Sequence, residues 1–170
     1  MGGAAAQSLK VAGDRENPPV RLRPALNDRL YPPRPILAAS IAVFRDNRVL
    51  LARRANAPLK GLYSLPGGVV EIGETMREAA LRELMEEVAI VARIVAFNDH
   101  IESIVRGEDG VRSHYVIASF VARWVSGEPR ASAEADAVAW VGLEEIALLP
   151  TTPGLREIVL RAAALAEVAR

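Results

Sequence analysis

Residues 67–90, GGVVEIGETMREAALRELMEEVAI, constrain this chain more than any other stretch, because a glycine pair leads into a helix whose acids repeat on one side. Thr75 is a good helix N-cap, and Glu78 three residues on completes a Thr-x-x-Glu capping box. A helix is therefore predicted to start near Met76, and nothing breaks it before about Val88. At about 100° per residue, Glu83, Glu86 and Glu87 fall within one sector of roughly 100°, while Ala80, Leu81, Leu84, Met85 and Val88 point elsewhere. Three like charges so close raise one another's pKa unless a cation sits among them, and hard oxygen ligands suit Mg²⁺ or Mn²⁺. Pro66, Gly67 and Gly68 supply a loop in which backbone can approach a metal or a phosphate closely. The alternative is a solvated surface helix with i,i+4 pairing from Arg82. Gly68, Glu74, Arg82, Glu83, Glu86 and Glu87 would fall at these spacings by chance with a probability on the order of one in ten million, which makes that alternative poor.

Gly68, five residues, Glu74, seven residues, then Arg82-Glu83-Leu84-Met85-Glu86-Glu87-Val88-Ala89-Ile90 resembles the Nudix box, G-x5-E-x7-R-E-U-x-E-E-x-G-U with U aliphatic. Every position matches but the last glycine, which is Ala89 here. That departure removes no ligand and bears on the turn leaving the helix. The wider resemblance runs over residues 36–149, with Leu62-Tyr63-Ser64-Leu65-Pro66 before the box and Trp140-Val141-Gly142-Leu143-Glu144-Glu145 after it.

This resemblance implies that Glu86 and Glu87 are metal ligands and that the Gly67 carbonyl completes their set. Glu83 is implied as either a further ligand or the base that orients the attacking water. Arg82 joins the catalytic group in a supporting role, paired with Glu74 so as to hold the loop against the helix. A further acid is expected from the loop before the last strand, where Glu134 is best placed and Asp136 is the runner-up; an ordinary solvated loop acid is the competing reading of Glu134. Such a set supports metal-assisted substitution at phosphorus in a diphosphate, with a carboxylate taking the proton. Arg53 and Arg54 at the end of an apolar run, and Lys60 beyond them, are candidates to bind substrate phosphate, since guanidinium groups match phosphate oxygens bidentately. Surface charges ending a strand are an equal alternative.

Composition narrows the partners. With 21 basic and 21 acidic residues the formal charge is zero, so there is no basic excess for a nucleic-acid backbone and no polybasic segment for a membrane surface. The absence of cysteine excludes disulfides, thiol catalysis and thiolate metal sites, and fits a cytoplasmic setting. No apolar run reaches the ~18 residues of a spanning helix. The opening Met-Gly-Gly-Ala-Ala-Ala-Gln-Ser has neither the charged start nor the long apolar core of a secretory leader.

Two regions are expected, a lead over residues 1–35 that is extended or disordered, with Pro-Pro pairs at 18–19 and 32–33, and a folded domain over 36–170. In that domain, 36–44 and 48–53 read as a hairpin, 62–65 as a short strand, 89–105 as one or two strands, 114–124 as another and 138–141 as the last. A short helical turn is expected at 143–147. Pro153 opens a second helix over 155–168, whose Leu155, Ile158, Val159, Ala162, Leu165 and Ala166 make one apolar face. Composition alone allows α+β or α/β. The family resemblance implies an α/β/α sandwich on a central mixed sheet. His100 and His114 read as structural or surface residues, and Trp140, Tyr63 and Phe120 as core or pocket wall.

For substrate, the lead-in Arg-Pro-Ile-Leu-Ala-Ala-Ser-Ile-Ala-Val is similar to small bacterial members of the ADP-ribose pyrophosphatase type. ADP-ribose or a nucleotide sugar is thus expected first. A nucleoside triphosphate, as in MutT-like members, comes second, and a sensing domain that binds a nucleotide without cleaving it comes third. Sensors of that kind usually carry a DNA-binding domain, for which neither the 35-residue lead nor the stretch after Thr151 offers room. By analogy with the family, residues 1–35 would help to form a homodimer.

Overall fold

The computed structural model describes residues 29–169. β1 (Ile36–Arg45) and β2 (Arg48–Arg54) form an antiparallel hairpin closed by Asp46 and Asn47, both at positive φ (48° and 62°). A two-residue turn of that mirror-image kind matches the twist of the strands it joins, and Asp and Asn tolerate it best. β3 (Tyr63–Ser64) and β4 (Gly67–Val69) follow, then α1 (Met76–Val88), β5 (Val91–Gly107), β6 (Gly110–Ser126), β7 (Ala135–Gly142), a 3-10 turn at Glu145–Leu148 and α2 (Leu155–Val168). The sheet runs β3-β2-β1-β6-β5, with β4 paired to β1 and β7 to β2. Of the strand pairs among the described residues, β1 with β6 is the parallel one, so the sheet is mixed.

Alternation along the strands feeds two cores. Ala39, Ile41, Val43, Leu50, Phe120 and Ala122 pack under Ala79, Ala80, Leu84 and Val88 of α1. Ala42, Phe44, Val49, Leu51 and Val121 face Leu155, Val159, Ala162 and Ala166 of α2. A sheet covered on both faces needs unbroken apolar strands, as in Ile41-Ala42-Val43-Phe44, and the result is the α/β/α sandwich. Each fully buried leucine here, such as Leu50, Leu51 or Leu84, contributes about 1.5–3 kcal/mol.

Several elements differ from expectation in extent. Residues 89–105, read as one or two strands, form a single 17-residue β5, paired with β6 along its length across four register irregularities. β6 is longer than 114–124 because pairing continues to Gly107 and Gly110 at the turn. On α1, Leu81 and Met85 are 36% and 46% exposed, so the buried stripe is narrower than the apolar residues suggest. In the lead, Tyr31 N–H donates to Arg112 O (2.8 Å), which rests residue 31 on the β5–β6 hairpin. Residues 1–28, expected to be extended or disordered, lie outside the described residues. No helix among the described residues is long and apolar enough to cross a membrane.

Candidate active site

Steric demands at two glycines build one wall of the site. A Cβ at Gly67 would stand 2.2 Å from Ala39 O on β1, and one at Gly68 would stand 2.2 Å from a Glu83 carboxylate oxygen. The first contact lets β4 lie tightly on β1, and the second lets the Glu83 carboxylate rest against the chain. The capping box forms as the spacing requires: Glu78 N–H donates to Thr75 Oγ1 (3.2 Å) and Thr75 N–H to Glu78 Oε2 (2.7 Å). That starts α1 in the phase that turns Glu83 and Glu87 toward β4, where Gly67 N–H donates to Glu87 Oε2 (3.1 Å).

Arg82 ties the acids to the loop. Its Nε and Nη2 fork onto Glu74 (3.1 and 2.7 Å), Nη2 also reaches Val69 O (3.1 Å), and Nη1 donates to Glu83 Oε1 (2.9 Å) and Glu86 Oε2 (3.1 Å). Glu74 is fixed further by Glu71 N–H (2.7 Å). The hydrogen bonds from Arg82 hold the Glu74 carboxyl below the ordinary carboxylate range.

Glu83, Glu86 and Glu87 open, with Ser132, Ala133 and Glu134, onto one cleft of about 160 Å³. Burial pushes Glu87 up to about 7, against the Gly67 N–H bond, and the nearby charges of Glu134 and Glu83 add to the rise while Arg54 opposes it. Burial likewise raises Glu83, with Arg82 opposing. Oxygen-only donors whose negative charge is costly to bury suit a divalent cation. Among the described residues no three acidic or histidine side chains are gathered closely enough to enclose an ion; Glu83 and Glu86 accept from Arg82, and Glu87 accepts from Gly67 N–H. The donor set fits such a cation in its chemistry.

Glu134 reaches the cleft through a fault in the sheet. β2 pairs regularly with β7 up to Arg53 opposite Ala137, but Arg54 lies opposite Ala135, so Asp136 is an extra, bulged residue. Its carboxylate accepts from Arg53 Nε (2.7 Å), away from the acidic cluster. Of the two loop acids, Glu134 therefore joins the cleft and Asp136 does not. Arg54 Nε donates to Pro58 O (3.1 Å), and Lys60 is exposed in the loop that follows. The fold thus gathers Glu83, Glu86, Glu87 and Glu134, with Arg82 and Gly67 behind them and Arg54 near Glu87. It commits Arg53 to Asp136.

Ser132, Ala133 and Asn56 belong to the same neighbourhood and had no signal in the sequence: Asn56 and Ala133 meet across seventy-seven residues of chain, and Ser132 comes to the cleft with the turn that carries Ala133. His100 is exposed beside Asp99, and His114 is paired across β5 opposite Ile104. Phe120 is buried and Trp140 is packed at the edge of the α1-side core, while Tyr63 packs on the α2 side. None of these five lines the carboxylate cleft.

The NUDIX domain family model matches residues 34–162. Over 101 residues the chain is 35% identical to the ADP-ribose pyrophosphatase of Methanocaldococcus jannaschii, a match covering 59% of this chain and 58% of that protein. The chain thus spans a little over half of that relative's length. Over 111 residues it is 31% identical to a MutT-like protein of Streptomyces ambofaciens, covering 65% of this chain and 66% of the relative. The structure of a MutT NUDIX hydrolase from Burkholderia pseudomallei is similar at a TM-score of 0.67 and 29% identity, over 75% of this chain and 98% of that one.

Proposed function

The chain belongs to the NUDIX domain family, and from that premise we propose that it hydrolyses the diphosphate linkage of a nucleoside diphosphate joined to another moiety, ADP-ribose or a nucleotide sugar first among them. The observation that carries this reading is the single cleft onto which Glu83, Glu86, Glu87 and Glu134 all open. Mg²⁺ or Mn²⁺ bound there by Glu83, Glu86, Glu87 and the Gly67 carbonyl would neutralise phosphate charge and lower the pKa of a water.

The protein's own groups divide the remaining work. Arg82 holds Glu83 and Glu86 in place and ties both to Glu74. Glu83, seated against Gly68 and bonded to Arg82, acts on the ligand side of the cleft. Glu134 is tied into no ion pair among the described residues, and it takes the proton of the attacking water as the bond from phosphorus to the leaving phosphate oxygen breaks. Arg54, near enough to Glu87 to oppose its rise in pKa, and Lys60 bind phosphate oxygens. Arg53 supports the Glu134 loop through Asp136.

Similarity to the archaeal ADP-ribose pyrophosphatase supports ADP-ribose, and similarity to the MutT-like Streptomyces protein supports the second reading, that of a MutT-like nucleoside triphosphate pyrophosphohydrolase. The test is phosphate release from ADP-ribose, nucleotide sugars, dinucleotides and nucleoside triphosphates with Mg²⁺ or Mn²⁺ and a coupled phosphatase. Selective turnover of ADP-ribose or a nucleotide sugar is expected, and it should vanish in Glu86→Gln. Preference for triphosphates selects the second reading, whereas tight nucleotide binding without turnover would convert the chain to a sensor.

A further inference from the structure

We propose that Asn56 is a positioning residue, which holds Glu134 over the carboxylate cleft by anchoring the loop that carries it; this rests on the role given to Glu134 above. In an unbroken strand Glu134 and Asp136, two residues apart, would share one face. The bulge at Asp136 separates them, and bulges of this kind re-aim side chains beside active sites. Beyond the bulge one further pair, Arg54 with Ala135, ends the β2–β7 ladder, yet the chains stay joined. Ala55 N–H donates to Glu134 O (2.9 Å), and Asn56 Nδ2 donates to Ala133 O (3.1 Å).

The Glu134 turn is otherwise closed on itself. Ser132 Oγ accepts from the N–H groups of Glu134 and Ala135 (3.2 Å each), and Ser132 N–H donates to Ala135 O (2.8 Å). These bonds give the turn its shape but do not fix where it sits. Its incoming side is tied to the end of α1 by Arg130 N–H, which donates to Val88 O (3.1 Å), and on the side facing β2 its place over the cleft depends on the strand it leaves and on the two bonds from residues 55 and 56. Of those two donors only the Asn56 amide is a side chain, so the anchor is encoded by residue type there and not at Ala55. Asn56 is exposed and belongs to neither hydrophobic core, so its loss should loosen the turn without melting the sheet.

A misplacement of about 1 Å in a reacting group costs on the order of 100-fold, so Asn56→Ala should lower kcat about 10- to 100-fold while KM and the melting temperature stay close to wild type. Asn56→Gln, which keeps an amide N–H on a longer stem, should restore most of that loss. The decisive comparison is the cycle with Glu134→Gln. Because Asn56 acts through Glu134, the double variant should be no slower than Glu134→Gln alone. Multiplying losses, or a change confined to KM or melting temperature, would overturn the proposal. Amide exchange gives an answer independent of turnover: residues 131–136 should exchange faster in Asn56→Ala while α1 is unchanged, and unchanged exchange there also overturns it. If Glu134→Gln keeps full activity while Glu86→Gln does not, this proposal fails and the hydrolase reading stands. If the wild-type chain cleaves nothing, the hydrolase reading fails and exchange still decides whether Asn56 anchors the turn.

Discussion

At Glu87 burial and chemistry pull in opposite directions. Its carboxyl is raised from an ordinary value of 4.5 to about 7, first by burial. The folded state thus keeps a proton that the unfolded chain has already lost between those two values, so stability falls as pH rises through about 4.5 to 7 and stays lower above it. A cation that takes the proton's place removes this penalty, and Mg²⁺ should raise the melting temperature more at pH 8 than at pH 6; an equal rise at both would contradict the assignment. Glu87→Gln keeps an oxygen for Gly67 N–H but carries no charge. It should abolish metal-dependent turnover and melt no lower than wild type at pH 8 without metal. Arg82 is the contrasting case, since three carboxylates and the Val69 carbonyl share one guanidinium. Arg82→Ala should lose activity together with about 1–3 kcal/mol of stability, a figure discounted for partial exposure. Wild-type stability with lost activity would instead place Arg82 on the substrate.

Among the elements, α1 was the most legible because its signals are local. Thr75 and Glu78 are one turn apart, and the acidic and apolar faces follow from helical pitch alone, so start, phase and end could be read directly. What pitch could not tell was that Leu81 and Met85 stay partly exposed, since that depends on how the helix seats on β1, β4 and β5. The helix ends on Ala89 in the left-handed conformation at φ 60°, where the family motif carries glycine. A left-handed alanine costs roughly 1 kcal/mol that glycine avoids, partly offset by glycine's greater freedom when unfolded. Ala89→Gly should therefore raise the melting temperature by about 1–3 °C without changing kcat, read by thermal denaturation. A lower melting temperature would mean that the turn leaving the helix is not strained.

For the whole molecule, the sheet and both cores lie within residues 36–168, and β1 starts at Ile36. A chain beginning at Pro35 loses the Tyr31 bond to Arg112 and little else among the described contacts. It should keep the fold and its turnover but appear smaller by light scattering if residues 1–34 bring two copies together; an unchanged size per chain would remove them from that role. By itself the sequence determined the helix with its capping box, the order of the longer strands along the chain and the family, but not the short strand β4 or the seat of the Glu83 carboxylate against Gly68. Each feature it determined depends on neighbours a few residues apart or on a spacing that the backbone's own periodicity enforces. Only the tertiary structure decided that Glu134 rather than Asp136 enters the cleft, that Arg53 binds Asp136, and that Asn56 anchors the opposite wall. Those outcomes turn on one bulge between β2 and β7, strands more than eighty residues apart, and register between distant strands is set by how the cores close, which no local pattern records.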